Sequence, residues 1–199
     1  EMRSAEPDKT QLMLAYTRAD VRDLNERARA VRQDNGELGA SQAFEVHHLK
    51  ERDGQMTLEQ SERAFAVNDK IYFLKNDREL GVKNGSLGTI VGMDEHRLSV
   101  KLDRPLNQVN QPVDAHSHDL THSPNDTITV DTQFYKHLDH GYATTVHKSQ
   151  AGTYDRTHVL ASRYFDRHTT YVAMSRHRDS AELYWSQDEF KDQGKLMEG

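Results

Sequence analysis

Cysteine is absent from the 199 residues, which excludes disulfides and thiolate chemistry. No apolar run approaches the length of a transmembrane helix, and no signal peptide is visible in the sequence. A cytoplasmic protein is the default expectation. Position 1 is Glu1 rather than an initiating Met, so the chain reads as a fragment of something longer. Gly-x-x-x-x-Gly-Lys-Ser/Thr occurs nowhere; Gly194-Lys195-Leu196 lacks both the first glycine and the hydroxyl. No Asp-Glu pair sits in a strand context where it could hold Mg²⁺. Hydrophobic residues make up only 35%, below a typical globular domain, so the core is modest.

Acidic residues outnumber basic ones, 32 to 26, and the net charge of −6 argues against a surface coated in basic residues. Its distribution is uneven. Residues 141–180 hold Lys148, Arg156, Arg163, Arg167, Arg176 and Arg178 against Asp155, Asp166 and Asp179, so this stretch is basic while the rest is acidic.

The chain is organised around Gly141 to Asp155. Tyr142-Ala143 reads as the end of a strand, and Thr144 and Thr145 are good caps for a short helix over 146–150. Gly152 ends it, and Thr157 to Ala161 reads as a second buried strand. A helix start presents free backbone N–H groups that suit a phosphate. Thr144, Thr145, His147, Lys148 and Ser149 add side-chain donors there.

Upstream, the nearly all-apolar Gln11 to Tyr16 predicts a strand buried on both faces. Val21, Leu24, Ala28 and Val31 recur at helical spacing, and Gly36 ends that helix. Residues 37–64 are polar; Phe44 to Leu49 and Gln55 to Leu58 could form a hairpin around Asp53-Gly54. From about 65 to 136 short β-type runs predominate: 70–74, 88–92, 98–102 and 127–130. Turn signals separate them, as in a small barrel. Strand–helix alternation then returns, with strands at 138–143, 157–161 and 181–185 and a helix at 166–177, which implies a parallel sheet. Residues 186–199 are polar and read as frayed.

Tyr142 to Gln150 (Tyr-Ala-Thr-Thr-Val-His-Lys-Ser-Gln) resembles motif V of RecD-like superfamily 1 DNA helicases. Tyr171 to Arg178 (Tyr-Val-Ala-Met-Ser-Arg-His-Arg) resembles their motif VI, and Leu14 to Asn25 their motif IV. The wording and spacing are nearest to the helicase portion of TraA/MobA-type conjugative relaxases, over nearly the whole chain. This resemblance implies an α/β fold: a RecA-like parallel sheet, the second motor domain of a helicase, over residues 1–64 and 137–199. An SH3-like β-barrel would be inserted at 65–136, where Asn84 to Thr89 matches the family's usual wording. It implies 5′→3′ ATP-dependent movement on single-stranded DNA. ATP and Mg²⁺ would be bound jointly with the N-terminal RecA-like domain of the same chain, in the context of a relaxase domain and conjugation machinery.

The same resemblance makes Arg176 the arginine finger. Arg18, Gln150, Gly152 and Thr153 fall to the nucleotide, and Thr144, Thr145, His147, Lys148 and Arg178 to DNA. The sequence departs from the family at Ala151, where Gly normally follows the Gln, and at Thr153, where many relatives carry Glu. Plainer readings stand beside these. Arg176 could compensate a helix C-terminus, Thr17 could simply cap a helix, and motif V could be an ordinary cap with solvated polar residues. His116, His118 and His122 are spaced as metal ligands could be, but lie in a turn-rich stretch that reads as a solvated loop. No metal site is assigned. A non-catalytic nucleic-acid-binding or docking module without a motor partner is the alternative for the whole chain.

Overall fold

The computed structural model describes residues 9–52, 55–103, 126–151 and 153–191. In chain order the elements are β1 (Gln11–Ala15), α1 (Arg18–Asp34), β2 (Gln42–Arg52), β3 (Gln55–Phe65), β4 (Lys70–Phe73), β5 (Leu87–Met93), β6 (Arg97–Leu102), β7 (Thr127–Asp131) and β8 (Leu138–His140). They continue with β9 (Ala143–Thr145), a 3₁₀ turn (Lys148–Ala151), β10 (Tyr154–Leu160), α2 (Arg167–Met174) and β11 (His177–Tyr184). Two compact units result: Glu1–Val31 with Tyr142–Gly199, and Arg32–Gly141.

The first unit is a four-stranded, all-parallel sheet in the order β11-β10-β1-β9. Leu12, Leu14 and Ala15 of β1 are buried, as a strand flanked by two neighbours requires. Helix α1 begins at a cap: the Thr17 hydroxyl accepts from Asp20 N at 3.0 Å and donates to the Asp20 carboxylate at 2.6 Å. Helix α2 is capped by Asp166, whose carboxylate accepts from Thr169 N at 2.7 Å and is thereby held below the usual aspartate pKa.

The inward stripe of α1 differs from the apolar one. Val31 is 59% exposed, whereas Asn25 and Arg32 are buried. The stripe runs through Val21, Asn25, Ala28 and Arg32, at spacings of four, three and four. Two polar residues can occupy it because both are fully engaged. Arg32 pairs with Glu37 at 2.9 Å and donates to Asn68 O at 2.8 Å.

The second unit is antiparallel. Its five strands lie in the order β7-β6-β5-β4-β8, and β2 and β3 form a separate two-stranded ribbon in register from Gln42↔Phe65 to Arg52↔Gln55. Phe44, Val46, Phe65, Ile71, Phe73, Ile90, Val100 and Leu138 form its core. Gly85, in the expected Asn84-Gly85 turn, has φ +102°, a left-handed conformation that glycine adopts without strain. Gly141 has a different reason: a Cβ there would lie 2.7 Å from the Ile71 backbone.

Several expectations are corrected here. The hairpin of residues 42–65 is much longer than expected and clusters with the antiparallel unit, so the compact units part at Arg32 and Gly141 rather than at 64 and 137. Phe44 and Val46 enter that unit's core, which draws the ribbon to it. The single strand expected at 138–143 is two, β8 pairing with β4 and β9 with β1. The motif V helix is a four-residue 3₁₀ turn, because Thr144 and Thr145 belong to β9 and Val146 N still bonds to Ala15 O at 3.0 Å. The strands at 70–74, 88–92 and 98–102 lie in a different sheet from 11–16, as expected. The His116, His118 and His122 reading lies outside the described residues. Among the described residues no helix is long and apolar enough to cross a membrane.

Candidate functional site

All four strands of the parallel sheet run the same way, so its two edges are chemically distinct. Thr145 pairs with Ala15 at the carboxyl edge, while Tyr154 pairs with His177 at the amino edge. Six residue steps along β10 separate the two levels, about 20 Å at the usual strand rise. The 3₁₀ turn of motif V starts from the carboxyl edge, and the chain after it reaches the amino edge.

At the carboxyl edge, β9 and β10 flank β1 on opposite sides. Such a switch in strand order is where open parallel sheets offer a crevice to ligands. Tyr16, Thr17 and Arg18 follow β1, Val146, His147 and Lys148 follow β9, and Ala161 to Phe165 follow β10. Arg18, His147 and Lys148 are exposed, whereas Thr144 and Thr145 are buried. The Thr145 hydroxyl accepts from Lys148 N at 3.3 Å, and Ser149 Oγ donates to Val146 O at 2.7 Å. Thr145 and Ser149 therefore shape the turn, and His147 and Lys148 are what it presents.

Asn25 holds this arrangement from α1. Its side-chain carbonyl accepts from Tyr142 N at 2.9 Å and Ala143 N at 3.0 Å, and its amide donates to Ala143 O at 3.2 Å and Val21 O at 3.0 Å. One buried side chain thus ties motif IV to the start of motif V. The sequence reading grouped Asn25 with motif IV but gave it no role; polar identity at a stripe position was the available signal.

At the amino edge the charges are engaged internally. Arg176 Nε donates to Val172 O at 3.1 Å and its Nη2 to Ser175 Oγ at 3.3 Å. The guanidinium therefore caps the end of α2, as the plainer reading anticipates. Tyr154 N bonds to Arg176 O at 2.9 Å, bringing motif VI beside the end of motif V. Arg178 pairs with Asp155 at 3.3 Å, and Lys9 with Asp179 at 2.7 Å. Asp155 also accepts from Thr10 N at 2.8 Å and Thr10 Oγ1 at 2.7 Å. Burial would raise the Asp155 carboxyl, but the Thr10 hydrogen bonds and the Arg178 guanidinium outweigh it, and its pKa lies below the ordinary value.

The structure thus brings Arg18 to the edge that holds His147 and Lys148, and Arg178 to the edge that holds Arg176 and Thr153. Gln150 lies in the 3₁₀ turn, and Gly152 lies outside the described residues.

The parallel sheet and the order of the motifs along it are similar to those of a superfamily 1 helicase domain with a RecA-like sheet. Residues 93–184 match the family described as viral superfamily 1 RNA helicase core domain. The chain is 40% identical over 196 residues to a probable conjugal transfer protein TraA of Sinorhizobium fredii, covering 98% of this chain and 15% of the relative. It is 42% identical over 195 residues to the conjugal transfer protein TraA of Agrobacterium fabrum, again 98% of this chain and 15% of the relative. Its fold is similar to that of a Bacteroides Pif1 helicase solved with ADP-AlF3 and single-stranded DNA. That likeness has a TM-score of 0.58 at 19% identity and covers 98% of this chain and 45% of the other. The resemblance read from the motifs therefore holds along nearly the whole chain. The chain spans about 15% of the length of these TraA relatives.

Proposed function

We propose that this chain is the C-terminal motor half of an ATP-dependent, 5′→3′ DNA helicase within a conjugative relaxase or mobilisation protein. In this reading the carboxyl edge, with His147, Lys148 and Arg18, grips the phosphates of single-stranded DNA, largely independent of sequence. The amino edge, with Arg176 and Thr153, faces ATP held on the N-terminal RecA-like domain of the same protein. The single-stranded DNA in the Pif1 structure of similar fold supports DNA as the track.

The observation that carries the reading is the spatial division of the motifs. The first half of motif V and the residues after β1 share one edge, and the end of motif V meets motif VI at the other. Closure of two motor domains on ATP could then be transmitted through the Lys148–Ala151 turn to the DNA edge. Asn25 clamps the start of β9 to α1.

ATP is the substrate whose γ-phosphate develops charge during transfer. Arg176, Arg178 and Thr153 offer cationic and hydroxyl donors suited to such an anion. No P-loop occurs in the sequence, and among the described residues no group of His, Asp and Glu could hold a metal ion. The phosphate cradle and Mg²⁺ ligands therefore fall to the partner motor domain, and this stretch alone is inactive in this reading. The antiparallel unit, with five short strands between motifs IV and V, is read as the inserted SH3-like barrel.

The test is the DNA-stimulated ATPase of the intact protein with Arg176→Ala. The expected result is a loss of roughly 10³–10⁵ in kcat with little change in affinity for single-stranded DNA. Unchanged turnover at saturating DNA would overturn the assignment. So would steady ATP hydrolysis by the isolated 199-residue stretch.

A further inference from the structure

Three segments that are far apart in sequence meet in one aromatic cluster at the carboxyl edge of the parallel sheet. Tyr16, just after β1, is its centre. The ring of Tyr164 stacks on it at 5.6 Å between centroids and 25° between planes. Phe165 lies against Tyr16 at 5.9 Å and 50°, and His147 meets it edge-on at 5.8 Å and 66°.

The cluster is graded from inside to outside. Tyr16 and Phe165 are half-buried, while Tyr164 is 59% exposed. A ring stacked on one side and open to water on the other differs from a core aromatic, which buries both faces.

The segment that carries Tyr164 is held in place. Phe165 N bonds to Ser162 O at 2.9 Å, and Tyr164 N to Ser162 Oγ at 3.3 Å. Asp166, two residues on, caps α2. Little conformational freedom is therefore lost when a ligand lands on the ring. Three cations, Arg18, Lys148 and Arg167, are exposed on the same three segments, alongside the Asp166 carboxylate that caps α2. A rigid exposed aromatic ring within a cationic rim matches the chemistry of a nucleobase joined to a phosphate chain.

We propose that Tyr164, backed by Tyr16, is a stacking platform for one base of a single-stranded nucleic acid at this edge. This deepens the reading given under Proposed function and rests on it. There the exposed cations hold phosphates; here a ring holds a base, so binding depends on the bases as well as on the charge.

The experiment compares two probes on the intact protein by fluorescence anisotropy at fixed salt. One is a labelled oligothymidylate; the other is an abasic strand of the same length and charge. Wild type should bind the base-bearing strand more tightly than the abasic one. Tyr164→Ala should weaken binding to the oligothymidylate roughly tenfold, within the range of single stacking contacts, and leave abasic binding unchanged. Tyr164→Phe should keep the wild-type preference, because it keeps the ring. Equal loss on both probes, or no loss on either with wild type still binding, would overturn the platform and leave the helicase reading standing. Failure of wild type to bind either strand would overturn both.

Discussion

The two edges of the parallel sheet carry similar numbers of cationic groups but use them differently. At the carboxyl edge Arg18, His147 and Lys148 are exposed, and an aromatic ring stands open beside them. At the amino edge Arg176 is bonded to the end of its own helix, Arg178 to Asp155, and Lys9 to Asp179. The contrast lies between exposure at one edge and the internal pairing of Arg176, Arg178 and Lys9 at the other. A cation already satisfied within the fold can serve an incoming anion only by giving up or sharing those bonds. That arrangement suits an edge that acts when a second domain closes on it.

The sharpest way to break this comparison is at Arg176. If its present hydrogen bonds are its whole role, Arg176→Ala costs a C-terminal capping contact worth about 1 kcal/mol or less and nothing else. If it also serves the nucleotide, the same variant keeps near wild-type stability while kcat drops by roughly three to five orders of magnitude. A urea midpoint and a DNA-stimulated ATPase titration on one preparation separate the two.

The next largest effect falls on Asn25. Replacing it with Ala leaves the Tyr142 and Ala143 N–H groups and the Ala143 carbonyl without their buried partner. The expected destabilisation is about 2–4 kcal/mol. It should appear as a lower denaturant midpoint at an unchanged m-value. Because β9 is freed at its start, DNA affinity should fall with it. Loss of ATP turnover at full DNA affinity would contradict the clamp.

Asn25 also shows where the sequence is legible and where it is not. The buried run of β1 and the strand–helix alternation after residue 141 follow from apolar periodicity, and both appear in the structure. The inward stripe of α1 does not, because hydropathy scores Asn25 and Arg32 as exposed and Val31 as buried. Their burial depends on partners at 142–143 and at 37 and 68, which no local pattern encodes. The length of the β2–β3 ribbon was hidden for a related reason. Residues 59–64 are mostly polar, and backbone pairing holds the strand together without an apolar repeat. Motif wording located Thr145, His147, Arg176 and Arg178, but wording alone does not assign an edge. Strand direction does, and it sets Arg18 at one edge and Arg178 at the other. Tyr16 and Tyr164 are 148 positions apart, and only the sheet order, with β1 beside β10, brings them together.

A smaller effect tests the amino edge by pH. The Asp155 carboxyl has a folded pKa below its ordinary value because Thr10 and Arg178 favour its charged form over the opposing effect of burial. A depressed folded pKa means that the unfolded chain takes up the proton first as pH falls. The stabilisation is therefore fully present above the ordinary aspartate value near 4, and it is lost as pH drops through the folded pKa. Asp155→Asn should be less stable than wild type at pH 7 by on the order of 1 kcal/mol, and the two should converge as pH falls through the folded pKa. A gap that stays constant through that fall would mean that Asp155 contributes through shape rather than charge.

The smallest expected effect decides whether Arg178 belongs to DNA or to its own edge. Binding a single strand releases counterions, so the logarithm of affinity falls with the logarithm of salt concentration by about 0.7 per phosphate neutralised. Lys148 is exposed at the carboxyl edge, so Lys148→Ala should reduce that slope by about 0.7. Between 50 and 200 mM salt this changes the salt sensitivity by only a factor of roughly 2–3. Arg178, paired with Asp155 at 3.3 Å on the far edge, should leave the slope unchanged when replaced by Ala. Its removal should cost less than about 1 kcal/mol of stability, as half-exposed ion pairs generally do. Anisotropy titrations of the intact protein at four or five salt concentrations resolve a difference of that size. If Arg178→Ala flattens the slope as much as Lys148→Ala does, the strand reaches both edges, and the division between a DNA edge and a nucleotide edge fails.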